Sequence, residues 1–188
     1  MKYWTPGRNV AVDELMERYN GPSYATVTIP SKPTPTGFKA WGIAEKGYLL
    51  NWIFHRRKKS PVAAYNGKKT TNPKVPMELG MNKTAAVVPF LLESLPKLKK
   101  GLQYHVWLDN LFVSTKLLCY LRVLGYDAAG TANAKSGIIV HLINLKKEDK
   151  RRDFIIWGSL IQAPTIDGLI MQSAWKDNAV VLYMSNTY

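Results

Sequence analysis

The sequence predicts a mixed α/β domain, antiparallel strands first and a parallel strand-helix-strand unit after them. Three observations carry this. β-branched and aromatic runs cut by Gly and Pro fill residues 9 to 54, a run of helical spacing opens at Ser114 and stops at Gly125, and apolar runs flank that helix at Tyr104 to Leu108 and Asp127 to Thr131. At 188 residues, 46% of them apolar, the chain has material for a single domain spanning 1–188.

Each element follows from local chemistry. Asn9 to Met16 reads as a strand, and so does Gly21 to Pro30, ended by Pro30, Pro33 and Pro35. Phe38 to Phe54 holds two apolar stretches around Glu45-Lys46-Gly47, which predicts a hairpin with Gly at the turn. Ser60 to Asn82 turns to Pro, Gly, Lys, Thr and Asn, the composition of a long loop. A helix capped at Asn82-Lys83-Thr84 follows, with Pro89 placed to kink it. Tyr104 to Leu108 is a strand. Ser114 is the expected N-cap of the next helix and Gly125 its stop, and Asp127 to Thr131 returns as a parallel strand by a right-handed crossover. Gly137 to Leu145, Arg152 to Trp157 and Gly168 to Ser185 read as short strands. Trp41, Trp52, Trp107 and Trp157 lie in apolar runs and are expected in the core.

Charge narrows the function. Lys and Arg number 26 against 13 Asp and Glu, so the chain carries +13 at neutral pH, and a domain so basic repels itself unless it meets a polyanion. The basic residues fall in runs: Arg56, Arg57, Lys58 and Lys59; Lys68 and Lys69; Lys97, Lys99 and Lys100; then Lys146, Lys147, Lys150, Arg151 and Arg152. One run reads equally well as a solvated loop or a nuclear-localisation patch; together they point to DNA or RNA. Apolar stretches stop at about eight residues, well short of a bilayer span. With no secretory leader and one cysteine, Cys119, the expected setting is intracellular and, for a nucleic-acid binder, nuclear.

Asp13 and Asp109 each close an apolar strand, at Asn9 to Val12 and at Tyr104 to Leu108, and stand 96 positions apart (109 − 13). In an acid-poor chain a carboxylate at the end of a buried strand needs a cation, a donor or a function. Two on adjacent strands suit Mg²⁺ or Mn²⁺, which takes hard oxygen ligands and activates phosphodiester cleavage. Strand-end aspartates also serve as turn and capping residues. Glu14 points to the opposite face from Asp13 and is expected to be structural or solvent-facing. His55, His105 and His141 have no ligand spacing, Cys119 lies mid-helix, and no nucleotide-binding Gly loop occurs, so no small-molecule substrate is expected.

Val12-Asp13-Glu14-Leu15-Met16, Gly21, Ile29-Pro30-Ser31-Lys32-Pro33 with Gly37-Phe38-Lys39, Leu108-Asp109-Asn110-Leu111-Phe112-Val113-Ser114, and Gly130-Thr131 resemble the signature blocks of piggyBac-type transposases. The match runs in order from about Pro6 to Tyr188. It implies a ribonuclease-H-like core in which Asp13 and Asp109 are the first two metal-binding catalytic aspartates of a DNA hydrolysis and strand-transfer reaction. By the same resemblance the third catalytic aspartate falls beyond Tyr188. The core is then expected to be C-terminally incomplete, inactive alone, and open on an apolar sheet face through which a homodimer could form. Asp177 is the nearest substitute for the third acid. The family's cysteine-rich zinc-binding end has no counterpart in a chain with one cysteine. Pro22 and Asn133 stand where the family usually has Arg, removing positive charge beside the implied site. A non-catalytic DNA-binding module is the alternative reading.

Overall fold

The computed structural model describes residues 4–55, 64–65, 68–69, 81, 84–99 and 101–187. Its centre is a mixed sheet. β1 (Asn9–Arg18) pairs antiparallel with β3 (Thr36–Glu45), which also pairs with β2 (Thr26–Thr28) and β4 (Tyr48–Phe54). On its other side β1 runs parallel to β7 (His105–Leu108), and β7 parallel to β8 (Asp127–Thr131). The sheet continues through β11 (Val180–Ser185), β10 (Met171–Lys176) and the edge strand β9 (Leu160–Pro164), all antiparallel. A separate short pair joins β5 (Ala64–Tyr65) to β6 (Lys68–Lys69). The predicted order, antiparallel first and parallel later, is the one observed.

Local chemistry explains the elements. At the β3–β4 turn Lys46 and Gly47 both take positive φ, 48° and 81°, the pair of angles a two-residue hairpin needs to match strand twist. Helix α2 (Thr115–Val123) is capped by Ser114, whose hydroxyl accepts from Leu117 N–H at 3.2 Å, and ends at Gly125 with φ 79°. In α1 (Val87–Glu93) Pro89 falls in the first turn, where no intrahelical N–H bond is lost, so no kink is required of it. The Asn82-Lys83 part of the expected cap lies outside the described residues, as does most of the Ser60 to Asn82 loop.

Four expectations are corrected. Gly137 to Leu145 and Arg152 to Trp157 are not strands: α3 spans Val140–Arg152. The apolar cluster from Ile138 to Leu145 yields to the strong helix formers Lys146 to Arg152, and the helix buries Leu142 and Asp149, seven residues apart on one stripe. Asp13 does not close its strand, because β1 runs on to Arg18 while paired to β3. Trp107 and Trp157 are exposed, at 54% and 71%. Trp107 alternates with the buried Val106 and Leu108 and therefore faces the other way.

One sheet face is dry. Val10, Val12, Ile43, Val106, Leu108, Ala128, Leu182 and Met184 join Leu91 of α1, Leu117, Leu118 and Leu121 of α2 and Leu142 of α3 in a single core. The other face, with Ala11, Asp13 and Trp107, carries no helix among the described residues. No described helix is long and apolar enough to cross a membrane.

Candidate functional site

The site grows from strand register. β1 and β7 pair Asn9 with His105, Val10 with Val106, Ala11 with Trp107 and Val12 with Leu108, an offset of 96 throughout. Asp13 and Asp109 directly follow the last pair, on chains whose strands lie about 5 Å apart up to that point. Both side chains are exposed on the open face, because Val12 and Leu108 just before them are buried. Thr131 takes the matching position on β8, one step past the Leu108–Gly130 pair.

The segment after β7 shows why its residues are needed. Asp109 Oδ1 accepts from Leu111 N–H at 2.8 Å and its carbonyl from Phe112 N–H at 3.2 Å, turning the chain sharply. Phe112, 1% exposed, then drops into the core edge-on to Trp41 at 5.5 Å, and Ser114 opens α2. The carboxylate is thus fixed between a strand and a plugged turn. Asp13 Oδ1 accepts from Glu14 N–H at 2.6 Å. The second oxygen of each carboxylate makes no hydrogen bond among the described residues and faces solvent. Two exposed carboxylates, each with an oxygen left over, suit a hard divalent cation whose remaining ligands are water and phosphate. No cluster of three or more His, Cys, Asp or Glu residues able to hold a metal occurs among the described residues.

Neighbours shape the site from below and beside. Glu14 lies on the dry face, as alternation requires, with its side chain 8% exposed and paired to Lys39 at 2.5 Å and Lys32 at 3.7 Å. Its carboxylate is taken up by these two lysines. Gly130 has no room for a side chain, since a Cβ there would lie 2.0 Å from the Leu108 carbonyl oxygen, the residue just before Asp109. Asn133 Nδ2 donates to the Asn110 carbonyl at 3.0 Å and ties the loop after β8 to the turn after β7. Trp107, two positions before Asp109, lies on the same open face with its Nε1–H 3.3 Å from Asn9 Oδ1. Neither Asn133 nor Trp107 was singled out for such a role from sequence, although the alternation of β7 carries the signal for Trp107.

Other expected residues fall elsewhere. Asp177, the substitute third acid, sits in the β10–β11 turn, where it accepts from Trp157 Nε1–H at 3.4 Å. β8 and β11 lie between it and β7, so the fold does not bring it to Asp109. Lys146, Lys147, Arg151 and Arg152 line up along α3 and are exposed. Lys68 and Lys69 form β6, while Arg56, Arg57, Lys58 and Lys59 lie outside the described residues. Burial holds the Cys119 thiol above its usual pKa, against a nucleophilic role. A groove of about 310 Å³ lined by Trp4, Pro6, Leu95 and Pro96 has no ionisable lining group and stands apart from the acids.

Comparison with known proteins agrees with the geometry. A family model described as Transposase IS4 matches residues 1–188. The human PiggyBac transposable element-derived protein 2 is 28% identical over 156 residues, covering 82% of this chain and 23% of that protein. Among solved structures, the cryo-EM structure of a piggyBac transposase synaptic complex with hairpin DNA superposes with a TM-score of 0.67 at 20% identity, over 97% of this chain and 34% of that one. The chain therefore spans about a quarter of the curated relative and a third of the solved chain.

Proposed function

This chain belongs to the Transposase IS4 family, and from that premise we propose that residues 1–188 act as one piggyBac-type catalytic-core domain that binds DNA around the Asp13 and Asp109 carboxylates. The observation that carries this reading is that Val12 and Leu108, the residues just before the two acids, are register partners of adjacent parallel strands. A bound Mg²⁺ or Mn²⁺ would supply Lewis acidity and an activated water for phosphodiester cleavage. The protein's part is positional. Asp13 and Asp109 present their free oxygens side by side, the Asp109 turn holds one carboxylate still, and the rigid β1–β7 pair fixes their separation.

Lys146, Lys147, Arg151 and Arg152 on α3, with Arg56, Arg57, Lys58, Lys59, Lys68 and Lys69, are the proposed phosphate contacts, and the nucleus the proposed compartment. A polypeptide of these 188 residues is expected to bind DNA and a divalent ion without cutting DNA, since a third acid does not join the pair among the described residues. The test is a Mn²⁺ titration by calorimetry together with DNA cleavage assays on the wild type and Asp109→Asn. Saturable binding lost in the variant supports the reading; equal binding by both sinks it.

The second reading, a non-catalytic DNA-binding module, is favoured by the +13 charge. It predicts steeply salt-dependent, sequence-indifferent binding that Asp13→Ala leaves unchanged.

A further inference from the structure

The edge strand β9 and its flanks have no charge. From Phe154 to Ile166 no Asp, Glu, Lys, Arg or His occurs, in a chain where charged residues make up 21%. The same stretch is among the most exposed apolar parts of the molecule: Ile156, Trp157, Leu160 and Ile166 are all exposed, Ile166 completely. Edge strands are ordinarily guarded by a charge, a proline, a bulge or a cover, and among the described residues β9 has only Pro164, at its last position.

Its backbone is poised for one more strand. In the β9–β10 hairpin Thr165 N–H donates to the Ile170 carbonyl at 2.8 Å, and Lys176 N–H to the Ser159 carbonyl at 2.9 Å. Odd-numbered residues therefore turn their N–H and C=O inward to β10, and by antiparallel alternation Leu160, Gln162 and Pro164 turn theirs outward. The outward set is an N–H and C=O at Leu160, the same at Gln162, and a C=O alone at Pro164, whose ring leaves no donor.

We propose that β9 joins β9 of a second copy of this chain, antiparallel about Gln162, into one continuous sheet. That register pairs Gln162 with Gln162 of the second copy through two bonds. It also pairs each Leu160 N–H with the Pro164 carbonyl opposite, while the proline ring leaves each Leu160 carbonyl without a donor. Four backbone bonds form, and extending the register sets Ile166 of each copy beside Gly158 and Trp157 of the other, covering the most exposed apolar groups. The occupant is a second copy and not a polyanion, because a segment without charge offers phosphate nothing. The pattern is instead complementary to itself about one residue.

Charge also gives the association a signature. Two copies at +13 repel, so salt strengthens their pairing, the reverse of its effect on DNA binding. The experiment is sedimentation equilibrium of the 188-residue chain from low to high ionic strength, with Gln162→Pro, Leu160→Lys and Trp107→Ser. Gln162→Pro removes an outward donor and the Gln162 Nε2 to Ser173 Oγ bond but spares the ladder to β10. The expected result is a dimer that tightens with salt. Gln162→Pro and Leu160→Lys should weaken it about tenfold or more at unchanged circular dichroism, and Trp107→Ser should leave it intact. Hydrogen exchange reads the same contact without mutation, as concentration-dependent protection of the Leu160 and Gln162 amides. A monomer at every ionic strength overturns the proposal. So does a dimer that Trp107→Ser breaks and Gln162→Pro spares, which would assign self-association to the open sheet face.

Discussion

Val12 and Leu108 are register partners of the parallel pair β1 and β7, and Asp13 and Asp109 are the next residue along each chain. Their separation of 96 residues equals the register offset of the strands, so each acid directly follows one member of the last paired couple. Asparagine keeps the local acceptor of each, to Glu14 N–H and to Leu111 N–H, and removes only the negative charge. Asp13→Asn and Asp109→Asn should each abolish Mn²⁺ binding by calorimetry. Both sites are exposed, so unfolding free energy should change by no more than about 0.5 kcal/mol.

Trp107 should report that binding. It lies on the same face two positions before Asp109 and is more than half exposed. Paramagnetic Mn²⁺ at the acids should quench part of the tryptophan emission, with diamagnetic Mg²⁺ giving little quenching. Trp107→Phe should remove most of the quenched component while leaving the calorimetric isotherm in place. Quenching unaltered in that variant would put the ion elsewhere.

Legibility from sequence follows how local the cause is. Ser114, Gly125 and the Lys46-Gly47 turn act within a few residues of themselves, and the structure uses each as read. Asp13 and Asp109 were legible as residues, but the pairing of Val12 with Leu108 just before them was not, because register depends on strand pairing across the sheet. β1 passes beyond Asp13 only because β3 pairs with Glu14 to Arg18, which no local signal announces. The start of α3 reads as a strand because Ile138 to Leu145 clusters apolar residues, while its helical signal lies in its charged second half. β9, short and without charge, had no periodicity to announce it.

The lock between α3 and β10 predicts a pH response at both extremes. Lys176, 6% exposed, places Nζ 2.8 Å from Asp149 Oδ2 and 2.5 Å from Asp153 Oδ1. The hydrogen bond from Lys176, then that from Ile155 N–H, lowers the Asp149 pKa, and the bonds to Asp149 and Asp153 raise that of Lys176. The Asp149 contribution is complete above the unfolded carboxylate value of about 4 and is lost as pH falls through the lowered folded value. The Lys176 contribution is complete below about 10.4 and is lost as pH rises through the raised one. Thermal melts should show a plateau between these limits. Lys176→Met, which strands the buried Asp149, should lower the midpoint far more than Asp153→Ala, whose carboxylate is largely exposed.

The basic face of α3 predicts a salt slope. Lys147 and Arg151 are four residues apart and share one helix face. If both meet phosphate, Lys147→Ala with Arg151→Ala should flatten the log–log dependence of DNA affinity on salt by about 2. The loss should be the same for unrelated duplex sequences. A loss confined to one sequence would mean that α3 reads bases.

Gly130 joins stability to the site. Any Cβ there meets the Leu108 carbonyl at 2.0 Å and the Val113 side chain at 2.8 Å. The first is backbone in the β7–β8 ladder and the second packs under the Asp109 turn, so neither can give without moving that turn. Gly130→Ala should therefore cost about 1–3 kcal/mol in urea unfolding. Because the strain falls one residue before Asp109, it should also weaken Mn²⁺ binding at temperatures where the variant remains folded. A destabilised variant that binds Mn²⁺ as tightly as the wild type would mean that the turn absorbs the strain, and that the carboxylate is held by the Phe112 plug alone.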